Sequence, residues 1–200
     1  MLAWNRNIVD VAKLGDFVAV KMRLQEGKDI NERDFVTGAT PLIEACKHGR
    51  DMEMIEYLVE RKPKLNMQDK DGCTALMHAV QAGHVRIVTF LIDKGADLNV
   101  QDKYGSTPVI WATFKNKFDM VMLLIDKGAD LLIEDTSGRT AVKYAEERGF
   151  KDRMIQRAHL RAVSTKYEEA LAKKNPPTKK EYFYKPDPDP GIYWDDIRTK

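Results

Sequence analysis

The chain has 200 residues, and its 33 Lys+Arg against 31 Asp+Glu leave a formal charge of +2. That length suits one large domain, or a domain and a tail, with a buried core. Leu, Ile, Val and Phe supply 48 of the residues, which excludes a disordered composition, and the balanced charge excludes holding nucleic acid or an anionic membrane by bulk electrostatics.

The first stretch, MLAWNRNIVDVAK, lacks the apolar h-region of a secretory signal. From there the chain repeats itself at a lag of 33 or 34. The leading unit, VAKLGDFVAVKMRLQEGKDINERD (11–34), is degenerate. GATPLIEACKHG (38–49), GCTALMHAVQAG (72–83), GSTPVIWATFKN (105–116) and GRTAVKYAEERG (138–149) then align without gaps. FLIDKGADLNVQD (90–102) matches LLIDKGADLLIED (123–135), and YLVERKPKLNMQD (57–69) is a looser copy. A period of this size predicts a stack in which each unit covers its neighbour's apolar face.

Each unit reads as helix, turn, helix, protruding turn. Thr40, Thr74, Thr107 and Thr140 are predicted N-caps, and Pro41 and Pro108 occupy the next position, where a missing N–H costs nothing. The first helices end at Gly15, Gly49, Gly83 and Gly149, with Asn116 as the substitute in the fourth unit. These are the residues that adopt the left-handed conformation most readily. Second helices carry Val85, Val88, Leu91 and Ile92, then Val121, Leu124 and Ile125, at helical spacing, and Gly95 and Gly128 stop them. Asp69–Gly72, Asp102–Gly105 and Asp135–Gly138 have Asp first and Gly fourth, as type I turns prefer. The longest apolar run, Met120–Ile125, is six residues, too short to cross a bilayer.

The pattern G-x-T-P-L-x-x-A-x-x-x-G, with V-x-x-L-I-D-K-G-A-D-L-N and D-x-x-G, resembles the ankyrin repeats. The resemblance covers about residues 5–156 and implies an all-α solenoid that binds proteins. Units fall at about 5–34, 35–69, 70–102, 103–135 and 136–156, within an array of 1–156. The family's His after T-P-L is replaced by Ile43, Met77, Ile110 and Lys143, so its hydrogen bonds should be lost or replaced by packing. Unit two carries an extra residue in Gly49–Ile55 and has Lys62-Pro63-Lys64 where its sisters have Gly-Ala-Asp; the turn Asp34–Gly38 is one residue longer than the others as well.

The resemblance implies a concave binding surface made by the first helices and the turn tips. One position on each first helix would present Asp10, Glu44, His78, Trp111 and Tyr144. The tips and helix ends would add Phe35, Tyr104, Phe114 and Lys115. Phe114 and Tyr104, on the loop side, are expected contacts of the kind that anchor interfaces, whereas Trp111 and Tyr144 are open to two readings, contact or packing between adjacent first helices.

Residues 152–174 read as a long capping helix with a stripe of Met154, Ile155, Ala158, Ala162, Val163, Tyr167, Ala170 and Leu171. Pro176 and Pro177 end it. The tail, 175–200, is extended by Pro186, Pro188 and Pro190, and its Tyr182, Phe183, Tyr184, Tyr193 and Trp194 are costly to leave in water. The expectation is an anchoring peptide laid on a partner, the alternative a tail folded back on its own array. Lysines 173, 174, 179 and 180 form a modest patch, read as a solvated helix end before nucleic-acid contact.

No catalytic motif occurs. The four histidines lack the spacing of a zinc site, and Cys46 and Cys73 make no disulfide framework. The expectations are therefore no enzyme, no metal, no cofactor and no small-molecule substrate. The chain reads as a cytoplasmic adaptor or scaffold, with cytoskeletal association open. The alternatives are a structural subunit of a large cytoskeletal, axonemal or ribonucleoprotein assembly, and an inhibitor covering a partner enzyme's surface.

Overall fold

The computed structural model describes residues 6–172, with side chains to residue 162. Among these residues it contains ten helices and no strand: α1 (Ile8–Leu14), α2 (Phe17–Gln25), α3 (Pro41–Lys47), α4 (Met52–Glu60), α5 (Ala75–Ala82), α6 (Val85–Asp93), α7 (Pro108–Phe114), α8 (Phe118–Lys127), α9 (Ala141–Glu147) and α10 (Lys151–Ala172). First helices α1, α3, α5, α7 and α9 pack in succession, and α1, α3, α5 and α7 each pack against their own second helix. The all-α repeat fold expected from the sequence is the one observed.

The caps follow the residue types. Thr40, Thr74, Thr107 and Thr140 each accept the amide of the residue three positions on, at 3.2, 3.3, 3.4 and 3.2 Å. Asn7 does the same for α1 at 2.8 Å, giving helix starts that hold one of their otherwise orphaned donors. That cap also corrects the register of the first unit. Four residues beyond the cap stand Glu44, His78, Trp111 and Tyr144, and beyond Asn7 stands Val11, which is buried. Asp10 is not the equivalent position.

Asn116 takes the left-handed conformation (φ 55°) in register with Gly15, Gly49, Gly83 and Gly149. Lys62 is forced into it as well (φ 53°), at the place where Gly95 and Gly128 sit. An L side chain there is strained, which is the local cost of the divergent Lys62-Pro63-Lys64.

The core is a column of small and branched residues. Ala12, Ala45, Ala79, Ala112 and Ala145 are fully buried along the first helices, with Leu42, Leu76, Val109, Leu58, Leu91 and Leu124 around them. The alanines let successive helix backbones approach, and each leucine buried is worth about 1.5–3 kcal/mol.

Polar side chains repeat with the same period and stitch the units. Asn31, Asn66 and Asn99 accept the amides of Lys64, Asp97 and Asp130 at 2.8–2.9 Å. Gln68 donates to the carbonyls of Gly72 and Gln101, and Gln101 to those of Gly105 and Glu134. At the helix ends, Arg50 donates to the Lys13 carbonyl and Lys117 to that of Gln81, while the His84 ring closes on Gly49.

One compact unit runs to Arg157, and α10 continues from Ala158 into a second. Within the first, Met154 is fully buried, Phe150 meets Phe118 edge-on at 5.5 Å, and Arg157 pairs with Asp126. Within the second, Leu160 is half exposed. Tyr182, Phe183, Tyr184, Tyr193 and Trp194, with the tail that carries them, lie outside the described residues. No helix among the described residues is long and apolar enough to cross a membrane.

Candidate protein-binding site

Each protruding turn is built on one aspartate. Oδ1 of Asp69 accepts the amides of Asp71 and Cys73, that of Asp102 the amides of Tyr104 and Ser106, and that of Asp135 the amides of Ser137 and Arg139, all at 2.8–3.0 Å. The second oxygen reaches a side chain nine residues on. His78 Nε2 lies 2.7 Å from Asp69, Trp111 Nε1 donates to Asp102 at 2.7 Å, and the Tyr144 hydroxyl donates to Asp135 at 2.6 Å. An imidazole, an indole and a phenol thus brace three turns in the same way. At the family's His positions Ile43, Met77 and Ile110 are buried, so packing stands there as expected, and the side-chain hydrogen bonds to the turns come separately, from the next residue along.

The second repeat breaks the series for a reason visible in its length. The extra residue in Asp34–Gly38 puts Ile43 nine positions on and Glu44, an acid, at the bracing place. Asp34 turns instead to the Thr37 hydroxyl (2.7 Å) and amide, which hold its carboxyl below the usual range. Glu44 is buried, with His48 Nε2 3.2 Å from its Oε2 but off the line of a hydrogen bond.

The sequence-derived candidates therefore separate by exposure. Glu44, His78 and Tyr144 are buried (2, 8 and 5% exposed). Their side chains face the interior and the turns, and Trp111 is half-buried in the same role. Phe114 (42%), Tyr104 (55%) and Phe35 (92%) stand out to solvent, as does Lys115.

Four of these meet in a shallow groove of about 240 Å³ between the fourth and fifth repeats. Tyr104, Ile110, Trp111, Phe114, Arg139 and Tyr144 form most of its wall. Phe114 is the hub, edge-on to Trp111 at 6.1 Å and to Tyr144 at 5.8 Å. Such aromatic pairs add about 0.5–1.5 kcal/mol beyond area burial and hold the rings in place. Cations ring the groove: Lys115 lies 5.7 Å and Arg148 5.6 Å from the Phe114 centroid, and Arg139 lies 4.5 Å from that of Tyr144. Among the described residues Lys115 and Arg148 make no ion pair, and Arg139 Nε is 3.9 Å from Asp135. Asp102 and Asp135 are committed to their turns, which leaves Glu147 as an exposed acid beside Tyr144.

The Asp135–Tyr144 brace is charged within a defined window. Burial pushes the Asp135 carboxyl up, but the Tyr144 hydroxyl, the amides of Arg139 and Ser137 and the Arg139 charge outweigh it, and the net displacement is downward. Burial, then the Asp135 carboxylate, pushes the Tyr144 phenol up to about 12. A lowered carboxyl stabilises the fold above the ordinary carboxylate range and stops doing so as pH falls through its own value; a raised phenol stabilises below about 10 and stops as pH rises through about 12. In an ultraviolet phenolate titration, the wild-type minus Tyr144→Phe difference should therefore show a tyrosine ionising near pH 12; a difference centred near 10 would show the brace absent.

The thiols are quiet. Cys46 and Cys73 are free and buried. Burial, with Asp69 and Asp102 nearby, pushes Cys73 up to about 12, and burial alone pushes Cys46 up, so neither is a ready nucleophile.

A stack of helix pairs with bonded turn tips, repeated at a period of 33 or 34, defines an all-α repeat protein. The chain belongs to the ankyrin-repeat family, whose model for three-copy ankyrin repeats matches residues 8–102 and 95–154. Ankyrin repeats are protein-interaction modules, so protein partners follow from the family. The chain is also similar to M-phase phosphoprotein 8 of Mus musculus, 32% identical over 85 residues, which is 42% of this chain and 10% of that protein. The Rattus norvegicus protein is 32% identical over 80 residues (40% of this chain, 9% of that one), and the Homo sapiens protein 30% over 80. The matched stretch thus spans about a tenth of these relatives' length.

Proposed function

We propose that the chain is a non-catalytic adaptor whose groove between the fourth and fifth repeats takes an acidic segment of a partner protein, with an apolar side chain seated on Phe114. The observation that carries this reading is the pairing of exposed aromatic rings with exposed cations: Phe114 and Tyr104 offer apolar surface, and Lys115 and Arg148 pair with no carboxylate among the described residues. Rings fixed edge to edge lose little freedom on binding, and a basic rim steers an acidic partner and rejects a basic one. The tail, 175–200, serves as a second, anchoring segment, so that two weak sites on one chain tether a partner by effective concentration.

The test is selection from a random peptide library by the immobilised full chain. Enriched peptides should carry acidic residues beside an aromatic or aliphatic one. Their affinity should fall on the order of 30-fold with Phe114→Ala, the size of a hot-spot loss, and fall further with Lys115→Glu/Arg148→Glu. Enrichment of basic peptides, or equal affinity for the charge-reversed variant, would remove the groove from the function. A 1–175 truncation that leaves partner capture unchanged would remove the tail.

A further inference from the structure

We infer that Asp69, Cys73 and His78, at the junction of the third repeat's turn and α5, form a binding site for a single Zn²⁺-type divalent cation. The carboxylate, thiol and imidazole ligand atoms lie within 4.8 Å of one another. The three side chains are almost wholly covered.

The sister repeats act as internal controls. At the place of Cys73 they carry Ser106 and Arg139, and at the place of His78 they carry Trp111 and Tyr144. Neither pair can join the turn aspartate as a set of metal ligands; their aspartates do nothing but hold a turn and a brace. In the third repeat both positions change together, one to a soft sulfur and one to an imidazole. Sulfur, nitrogen and carboxylate oxygen together are the donor types that zinc selects.

The geometry needs small movements only. Around a tetrahedral zinc, ligand atoms sit about 3.3–3.8 Å apart, given bonds of about 2.0–2.3 Å. His78 Nε2 and Asp69 Oδ2, now 2.7 Å apart, must open by about half an ångström, and Sγ must move in. As the metal–sulfur bond forms, the thiol's S–H bond breaks and its proton passes to the buffer. The Asp69 Oδ1 bonds to the Asp71 and Cys73 amides fix the carboxylate from behind, as second-shell contacts do. The fourth ligand is water, and the Gln81 side-chain NH₂, 3.8 Å from Sγ, donates to the sulfur. The D-x₃-C-x₄-H spacing is not a zinc signature in sequence, because the aspartate belongs to a turn and the histidine to the helix that follows it.

The experiment is a Co²⁺ titration of the reduced full chain, followed by thiolate-to-cobalt charge-transfer absorption and then displacement by Zn²⁺. One equivalent should generate the band. Cys73→Ser and His78→Trp should abolish it, and Cys46→Ser should leave it. His78→Trp copies the brace of the next repeat, so its circular dichroism and melting should stay close to wild type in the metal-free form. Zn²⁺ should raise the melting temperature of the wild type and not of Cys73→Ser. Absence of a thiolate band, a band that survives Cys73→Ser, or one lost in Cys46→Ser would each overturn the site.

Discussion

Gly72→Ala should cost about 3 kcal/mol of unfolding free energy, whereas the same change at Gly138 should cost about 1. Both glycines sit at positive φ, 78° and 71°, and an L residue there loses about 1–2 kcal/mol. The difference lies in what a Cβ meets. At Gly72 it would stand 2.6 Å from the Lys103 nitrogen and 2.9 Å from the Asp102 backbone; at Gly138, in the last turn, nothing lies within 4 Å. Backbone cannot rotate aside as a side-chain end can, so the third and fourth turns must separate, and the Lys103 amide loses its 3.0 Å bond to the Asp71 carbonyl. Urea unfolding of the two variants side by side checks this. Equal losses would mean that contact between turn tips contributes nothing beyond the φ penalty.

Asp102→Ala should cost about 3 kcal/mol or more by the same measurement. It strands three donors at once: the Tyr104 and Ser106 amides, both bonded at 2.9 Å, and the Trp111 indole N–H at 2.7 Å. Bonds to a charged acceptor are worth about 1.5–3 kcal/mol each, and an unsatisfied buried donor costs about 1–3. Asp102→Asn should lose less, because its amide oxygen still accepts from the turn while its NH₂ opposes the indole. A loss under about 1 kcal/mol for the alanine variant would show that water replaces the carboxylate in full.

Most of the fold was legible because its determinants are local. A threonine caps its own helix, a glycine or asparagine ends it, and an Asp-x-x-Gly closes its own turn, so each signal and its effect lie within a few residues. The candidate site was less legible because the role of an aromatic residue depends on what lies across the turn from it. Trp111 and Tyr144 pack in and brace, while Phe114, three residues beyond Trp111, stands out. The signal existed as the recurring interval of nine from Asp69 to His78, Asp102 to Trp111 and Asp135 to Tyr144. Following it would also have exposed the second repeat, where one inserted residue lands Ile43 in the ninth place and Glu44 in the tenth. The register of α1 failed for a related reason: its cap is Asn7, not threonine, and the alignment to Asp10 rested on a unit that has little else in common with its sisters.

The turn tips are joined by backbone bonds that all run one way. Lys70 donates to the Thr37 carbonyl, Lys103 to that of Asp71 and Thr136 to that of Tyr104, at 2.8, 3.0 and 2.9 Å. The ladder therefore has a head and a tail. At the head the Phe35 N–H occupies the donor place, on a residue almost wholly in solvent; at the foot the Ser137 carbonyl occupies the acceptor place. A segment that extended the row could add at the head only by offering a carbonyl and at the foot only by offering an amide. The two ends of this described row of turns are thus chemically distinct in their main chain, whatever side chains they carry.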